Sequence, residues 1–265
     1  MDSAHMFSSM GEHAVAITRV AERQWHALED DQVVGRGHVS HRPDGRLFLS
    51  IDAWHGAVFG HLAEAMLANL PRPLYTVVDE ADLDLILQWE KAGFAPRRRE
   101  WEYVVPTDPR ITGLGSALPP PGVTILAVGG AEVGPLRVLD QVIRDEVEAT
   151  TGWQDMPAEV LPGPDGTRLL DPAKYAVAAC PDQYVGLVRV VPLPRQPRIG
   201  LIAVRSEERR RGIARALLAG VLGWAHRRGI ETASADVNQS NGAAIALFEG
   251  IGARRASSNL ELVLR

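Results

Sequence analysis

Residues 207 to 218 read EERRRGIARALL. Arg209, Arg210, Arg211 and Arg215 surround Gly212 directly ahead of an alanine-rich apolar run. Guanidinium groups present forked donors that suit phosphate oxygens. A helix N-terminus adds unpaired backbone N–H groups and a partial positive charge. Glycine at 212 lets a ligand approach the backbone with no Cβ in the way. Ala214 and Ala216 are small enough for a bulky group to lie against the first turn. Just upstream, RIGLIAV (198–204) reads as a strand that ends at the basic run. A strand end, a basic glycine loop and a helix start together form an anion site of the kind that takes a pyrophosphate.

Other chemistries find no support. The chain contains no GxxxxGK[ST], no HExxH and no GxSxG. GLGSAL (113–118) lacks the third glycine of a dinucleotide fingerprint. Cys180 is the single cysteine, which excludes an internal disulfide and a CxxC metal site. His55 and His61 read as surface or loop residues, so no metal is expected. The net charge of −5 argues against nucleic acid as a partner. No apolar run approaches the length of a membrane span, and the first residues lack a basic n-region, so the expected compartment is the cytoplasm. The 265 residues suggest about two domains, and 46% hydrophobic with 23% charged residues is an ordinary globular composition.

Elements must position the arginine loop, and the pattern supplies them. GVTILAV (122–128) reads as a strand. In 134–152, Leu136, Leu139, Val142, Ile143 and Val147 recur at helical spacing. KYAVAAC (174–180) and QYVGLVRVVPL (183–193) read as two strands, and LPGPDG (161–166) as a loop. The helix after the loop runs from about Gly212 to Arg228, with Gly229 as its cap. ETASADV (231–237), a short helix over 241–252 and SNLELVLR (258–265) complete the second half.

The first half repeats this order in shortened form. Strands are expected at 24–30, 46–52, 74–80 and 101–105, a turn and strand at DQVVG (31–35), and helices at 60–70 and 83–94. The offset between matching glycines is 151 residues from Gly35 to Gly186 and 159 from Gly93 to Gly252. The eight residues gained include the arginine loop, which DAWHGAVFG replaces in the first half. The stretch from Pro106 to Gly122 carries five prolines and three glycines and reads as a linker. The expected domains are 1–106, a linker at 107–121, and 122–265, in a mixed α/β fold made of two tandem copies.

Two segments of the second half carry a family likeness. Arg209-x-x-Gly212-x-Ala214 resembles the [Q/R]-x-x-G-x-[G/A] loop of the GNAT N-acetyltransferases. NQSNGAAIALFEGIGA resembles that family's downstream segment, with Asn238, Asn241, Ala244, Leu247 and Gly252 in register. The likeness covers 122–265 strongly and 20–105 weakly. It implies two GNAT-like domains, each a mostly antiparallel twisted sheet with flanking helices. It also implies acetyl-CoA as co-substrate. Backbone groups of Ile202, Ala203 and Val204 would hold the pantetheine arm, and the amides of Arg209, Arg210, Arg211, Gly212, Ile213, Ala214 and Arg215 the pyrophosphate. Asn238 would bond the pantetheine or a water, while Asn241 reads equally as a helix cap. The implied reaction is direct attack by a primary amine of a small molecule or protein, in a monomer or homodimer.

The departures are as informative. Phe248 stands where the family often has a tyrosine that protonates the leaving thiolate. The strand 198–204 carries no carboxylate, which leaves Asp236 on the next strand as the candidate base. Asp145, Glu146 and Glu148 on the helix bordering the acceptor side are further candidates. A non-catalytic CoA-binding scaffold, or a transferase of longer acyl groups, are the alternatives. The first half lacks the loop and has Trp89 at the tyrosine position, so it is expected not to bind acetyl-CoA.

Overall fold

Alternating side chains give each strand one apolar face, and that face decides which helix covers it. The computed structural model describes residues 5–6, 15–42, 44–150, 152, 170–192 and 196–265. The expected loop at 161–166 lies outside these residues. Among them are thirteen strands and six α-helices in a mixed α/β fold, mostly antiparallel. The chain divides into one unit of residues 1–99 with 259–265, and a second of 100–258.

In the first unit the strands are β1 (His5–Met6), β2 (Ala16–Ala21), β3 (Gln24–Glu29), β4 (Gln32–His41), β5 (Leu47–Ala53) and β6 (Leu74–Asp79), hydrogen-bonded in that order. α1 (Gly56–Leu67) and α2 (Leu83–Lys91) cover one face. Their buried Val58, Leu62, Met66, Ile86 and Trp89 join Trp25, Leu49 and Leu262 in a single core. Trp89 is wedged edge-on between Phe59 and Phe94, at 5.0 and 4.8 Å between ring centroids. Among the described residues the opposite face carries arginines in place of a helix. Arg42 and Arg46 lie over Phe48, Arg97 lies over Tyr75, and Arg97 and Arg98 pair with the buried Glu261.

In the second unit the order is β7 (Ala95–Pro106), β12 (Thr232–Asn238), β11 (Arg198–Val204), β10 (Tyr184–Val191), β9 (Tyr175–Ala179) and β8 (Thr124–Leu126). α5 (Ile213–His226) and α6 (Gly242–Glu249) pack on one face around Leu217, Leu218, Val237 and Phe248. α4 (Val133–Glu148) packs on the other through Leu136, Leu139 and Ile143.

Two strands depart from a simple tandem. Residues 100–106 of β7 belong to the second unit and pair antiparallel with β12, from Glu100↔Asn238 to Pro106↔Thr232. Asn259 to Leu264 of β13 (Arg254–Leu264) belong to the first unit and pair with β6. Each half therefore contributes its last strand to the other half's unit. This division differs from the expected boundaries at 106 and 122. The Pro/Gly-rich stretch lies inside the second unit, where it forms α3 (Pro109–Thr112). Thr107 N–H donates to the Glu231 carbonyl at 3.0 Å, and Leu114 joins the core. Those bonds account for a proline-rich segment that is nevertheless packed.

The repeat itself is visible in the glycines. Gly35 pairs with Ala53, the last residue of β5, and Gly186 pairs with Val204, the last residue of β11. A Cβ on Gly35 would meet Val58 at 2.7 Å, and one on Gly186 would meet Ile213 at 3.1 Å. In both copies the first turn of the following helix rests on a bare backbone. Gly93 and Gly252 both adopt positive φ, 93° and 78°, just after the second helix of each copy.

Candidate functional site

The site begins where two parallel strands part. β11 and β12 share only Arg198↔Ser234 and Ile199↔Ala235, although β11 runs on to Val204 and β12 to Asn238. From Gly200 onward β11 keeps β10 on one side and has an open ladder edge on the other. The pairing with β10 shifts register between Arg189 and Val190, leaving Gly200 as a bulge. A bulge bends and twists its strand, here at the point where β11 leaves β12. Beyond it, Leu201 and Ala203 face α4, while Ile202 and Val204 face α5 and α6.

The loop that follows is shaped to present N–H groups. A 3-10 turn (Ser206–Glu208) leads to Arg210 at φ 64° and Gly212 at φ 88°. Gly212 caps α5 with no side-chain bond, and a Cβ there would meet nothing within 4 Å. The first backbone bond of the helix is Ala216 N–H to the Gly212 carbonyl at 3.0 Å. Among the described residues, the N–H groups from Arg210 through Arg215 make no hydrogen bond. That run sits at a positive helix end with Arg210 exposed beside it.

Glu146 on α4 holds the loop in this shape. Its carboxylate accepts from the Ser206 N–H at 2.9 and 3.0 Å, from the Ser206 hydroxyl at 3.0 Å and from Arg209 at 3.2 Å. Arg209 also donates to the Val204 carbonyl at 3.2 Å, and Arg211 pairs with Glu208. A splayed parallel pair, a strand bulge and a basic loop of free amides suit an extended ligand with an anionic end.

Sequence comparison gives this region a family likeness. Residues 139–253 match the sequence model of the Acetyltransferase (GNAT) family. The matched residues lie within the second unit. None of the curated proteins matches the chain by sequence. Solved structures extend the likeness across both units. A GCN5-related N-acetyltransferase from Sphaerobacter thermophilus matches 93% of this chain and 81% of its own at TM-score 0.63 and 17% identity. A tandem GNAT protein from the clavulanic acid biosynthesis pathway matches 94% of this chain and 83% of its own, at TM-score 0.63 and 15% identity. A GCN5-related N-acetyltransferase from Kribbella flavida matches 92% and 88% at TM-score 0.57 and 14% identity. The chain is thus a tandem of GNAT folds, and the family's chemistry is acyl transfer from acyl-CoA.

The remaining site residues of the GNAT domain fall into place around this frame. Ile213 buries its side chain beneath Gly186, so only its amide reaches the loop. Ala214 and Arg215 are half-buried on the first turn of α5. Asn238 ends β12, and its side-chain oxygen accepts from the Ser240 N–H and hydroxyl, both at 2.9 Å. Asn241 caps α6 by accepting from the Ala244 N–H at 3.0 Å. Asp236 sits one residue past the last parallel pair and is bound by Arg198 at 2.9 Å. Asp145 accepts from Gln141 at 2.7 Å on α4. Glu148 also has an interaction partner.

Phe248 is buried, and its ring stacks on Tyr103 at 6.0 Å between centroids and 23° between planes. Tyr103 comes from β7, the strand contributed by the first half of the chain. Its hydroxyl donates to Glu249 at 3.0 Å and accepts from Arg255 at 3.0 Å. Burial pushes its pKa above the usual tyrosine value. On the α4 face, burial likewise raises the pKa of Tyr175, beside Arg189 and Asp140.

Sequence reasoning did not find the Gly200 bulge, the tie from Glu146 to Ser206, the Arg198–Asp236 pair or Tyr103. A glycine inside an apolar strand was the available signal for the bulge. The others join residues far apart in sequence, and no local pattern announces them. No group of metal-ligating side chains is found among the described residues.

Proposed function

We propose that the GNAT domain transfers acetyl from acetyl-CoA to a primary amine of a small molecule or protein. The observation that carries this reading is the run of unbonded N–H groups from Arg210 through Arg215 at the end of the splayed β11. Acetyl-CoA supplies the activated acyl group. The chain supplies the amides and arginines of 209–215 for the pyrophosphate and the open edge of Ile202 to Val204 for the pantetheine arm. A β11 amide near Val204 holds the developing oxyanion. Asp236 takes the proton from the attacking amine, with Arg198 fixing its carboxylate. Asn238 is held at the strand end by its own turn, leaving its amide N–H groups for the pantetheine or a water. Asn241 acts on the site through its cap on α6. Phe248 keeps water from the thioester, and the thiolate leaves without a tyrosine donor. Free thiols ionise near pKa about 8.5, which makes unaided departure tolerable.

The test is titration calorimetry with acetyl-CoA, followed by release of free CoA across a panel of primary amines. Binding with amine-dependent CoA release is expected. Binding without release for every amine would favour a CoA-binding scaffold. Tighter binding and faster turnover of a longer acyl-CoA would replace the acetyl assignment. The absence of acetyl-CoA binding would overturn the reading.

A further inference from the structure

In the first unit a groove of about 540 Å³ opens between α1 and α2. We propose that this groove is a separate small-molecule site that takes an apolar monocarboxylate. The inference stands apart from the acetyl transfer proposed for the second unit.

The floor is the α1 stripe Gly56, Gly60, Ala63 and Leu67, which recurs at helical spacing and faces α2. Gly60 is the telling position. Glycine weakens a helix interior, whereas the two glycines of β4 have a packing reason. A Cβ on Gly35 or Gly37 would collide with Val58 or Met66, at 2.7 and 2.3 Å. A Cβ on Gly60 would meet nothing within 4 Å. Packing does not require this glycine, and the space it leaves is the groove itself.

The polar groups are few and placed at the rim. Gln88 lies 4.0 Å from where a Gly56 Cβ would stand. Arg72 and Lys91 line the groove with Glu64 as the sole carboxylate, so the lining charge is positive. Arg72 donates to the Arg265 carbonyl at 3.1 Å, which fixes its arm. Lys91 pairs with no carboxylate among the described residues. One spare cation above an apolar floor matches a ligand with one negative charge and an aliphatic or aromatic body. Small-molecule sites are concave, mostly apolar and of this size, about 300–1,000 Å³, with a few polar groups that orient the ligand.

The experiment titrates the full chain with octanoate, octanamide and octylamine in a calorimeter. Octanoate is expected to bind saturably and octanamide about tenfold more weakly, since a charge-assisted bond is lost. Gly60→Leu fills the groove without a clash and replaces glycine with a better helix former. It should weaken octanoate more than about tenfold by denying the apolar floor, with the melting temperature unchanged or raised. Lys91→Gln should weaken octanoate about fivefold and leave octanamide unchanged. Acetyl-CoA binding, if the wild type shows it, should be the same in all three proteins. The proposal falls if octanoate shows no saturable binding, or if octylamine binds as tightly. It falls also if Gly60→Leu leaves octanoate unchanged. A change of oligomeric state in Gly60→Leu would overturn it too, by making the groove a contact between copies.

Discussion

The two units share a skeleton and differ where chemistry would occur. In each, the parallel strands meet over two residue pairs and then part: Leu47↔Leu74 and Phe48↔Tyr75 in the first, Arg198↔Ser234 and Ile199↔Ala235 in the second. In each, a glycine opposite the last residue of the strand before the helix seats that helix. The first unit, however, pairs β4 with β5 without a register shift, whereas β10 and β11 are interrupted at Gly200. β5 passes into α1 through two residues, Trp54 and His55, whereas eight residues separate β11 from α5. The splay is thus a property of the fold, and the bulge and the amide loop are properties of one copy. A fold can be duplicated with its cleft intact while the groups that recognise a ligand occur only once.

The sharpest way to break this comparison is at Gly212. Asparagine and aspartate both tolerate positive φ better than other side chains, and a Cβ at this position meets nothing. Gly212→Asn and Gly212→Asp therefore differ mainly in charge. The aspartate variant should bind acetyl-CoA at least about 100-fold more weakly than the asparagine variant, because like charges placed together cost several kcal/mol. Calorimetry reads the difference, and circular dichroism checks that both remain folded. Equal affinities would show that the phosphates lie elsewhere. The same titration gives the stoichiometry. One acetyl-CoA per chain is expected, and two would mean that the first unit binds without a loop.

The shared skeleton can be stressed in parallel. Gly35→Ala puts a Cβ 2.7 Å from Val58 and 2.9 Å from Leu62, whereas Gly186→Ala puts one 3.1 Å from Ile213. Val58 is β-branched and fully buried, so it has little room to turn. Overpacking of this kind costs about 1–3 kcal/mol. Thermal unfolding should show the larger loss for Gly35→Ala, with acetyl-CoA binding retained. The reverse ranking would mean that the second unit packs its helix more tightly than the first.

The sequence made parts of this structure readable and hid others for physical reasons. β11 is found at its expected bounds, 198–204, and α5 within two residues of them, because apolar runs bounded by a charge cluster and a glycine are local signals. β2 was not anticipated, since its burial shows one buried residue in six and no clean alternation. The exchange of β7 and β13 was not legible either. Alternation tells a strand which face it buries but not which neighbour it joins. The proline-rich stretch 106–122 reads the same whether it is solvated or packed, and only the bonds from Thr107 distinguish the two. At the site, Arg209 to Arg215 were legible by charge. Glu146 was noticed as a carboxylate on a helix, and its bond to Ser206 needed the fold.

Among the described residues Glu146 has no counterpart in the first unit, which makes it a way to test the loop without touching a ligand group. Glu146→Gln removes the charge that binds Arg209 and disturbs the bonds to Ser206. Bonds to a charged acceptor contribute about 1.5–3 kcal/mol. Because this carboxylate is partly exposed, the expected effect is about tenfold weaker acetyl-CoA binding. Global stability should fall by less than about 1 kcal/mol, as for a surface change. Unaltered affinity would show that the loop holds its shape unaided.

The smallest effect is expected at Phe248, where the second unit departs from the family pattern it resembles. Phe248→Tyr adds a hydroxyl at the register position of the usual proton donor. The ring is buried against Tyr103, so the hydroxyl must find a partner or cost stability. If it reaches the thiolate, it supplies a proton that the native chain lacks. Thiolate departure needs that proton most below the thiol pKa of about 8.5. The gain in kcat should therefore be largest at the acid end of the profile and vanish toward the alkaline end. General acids contribute about 100-fold or more when well placed; at a site not built to orient the hydroxyl, about threefold is expected. The measurement is kcat from about pH 6 to 9 for both proteins with one good amine, spanning that thiol pKa. Superimposable profiles would mean that thiolate protonation does not limit turnover. The phenylalanine would then cost the second unit nothing, and its burial against Tyr103 would be the reason for its presence.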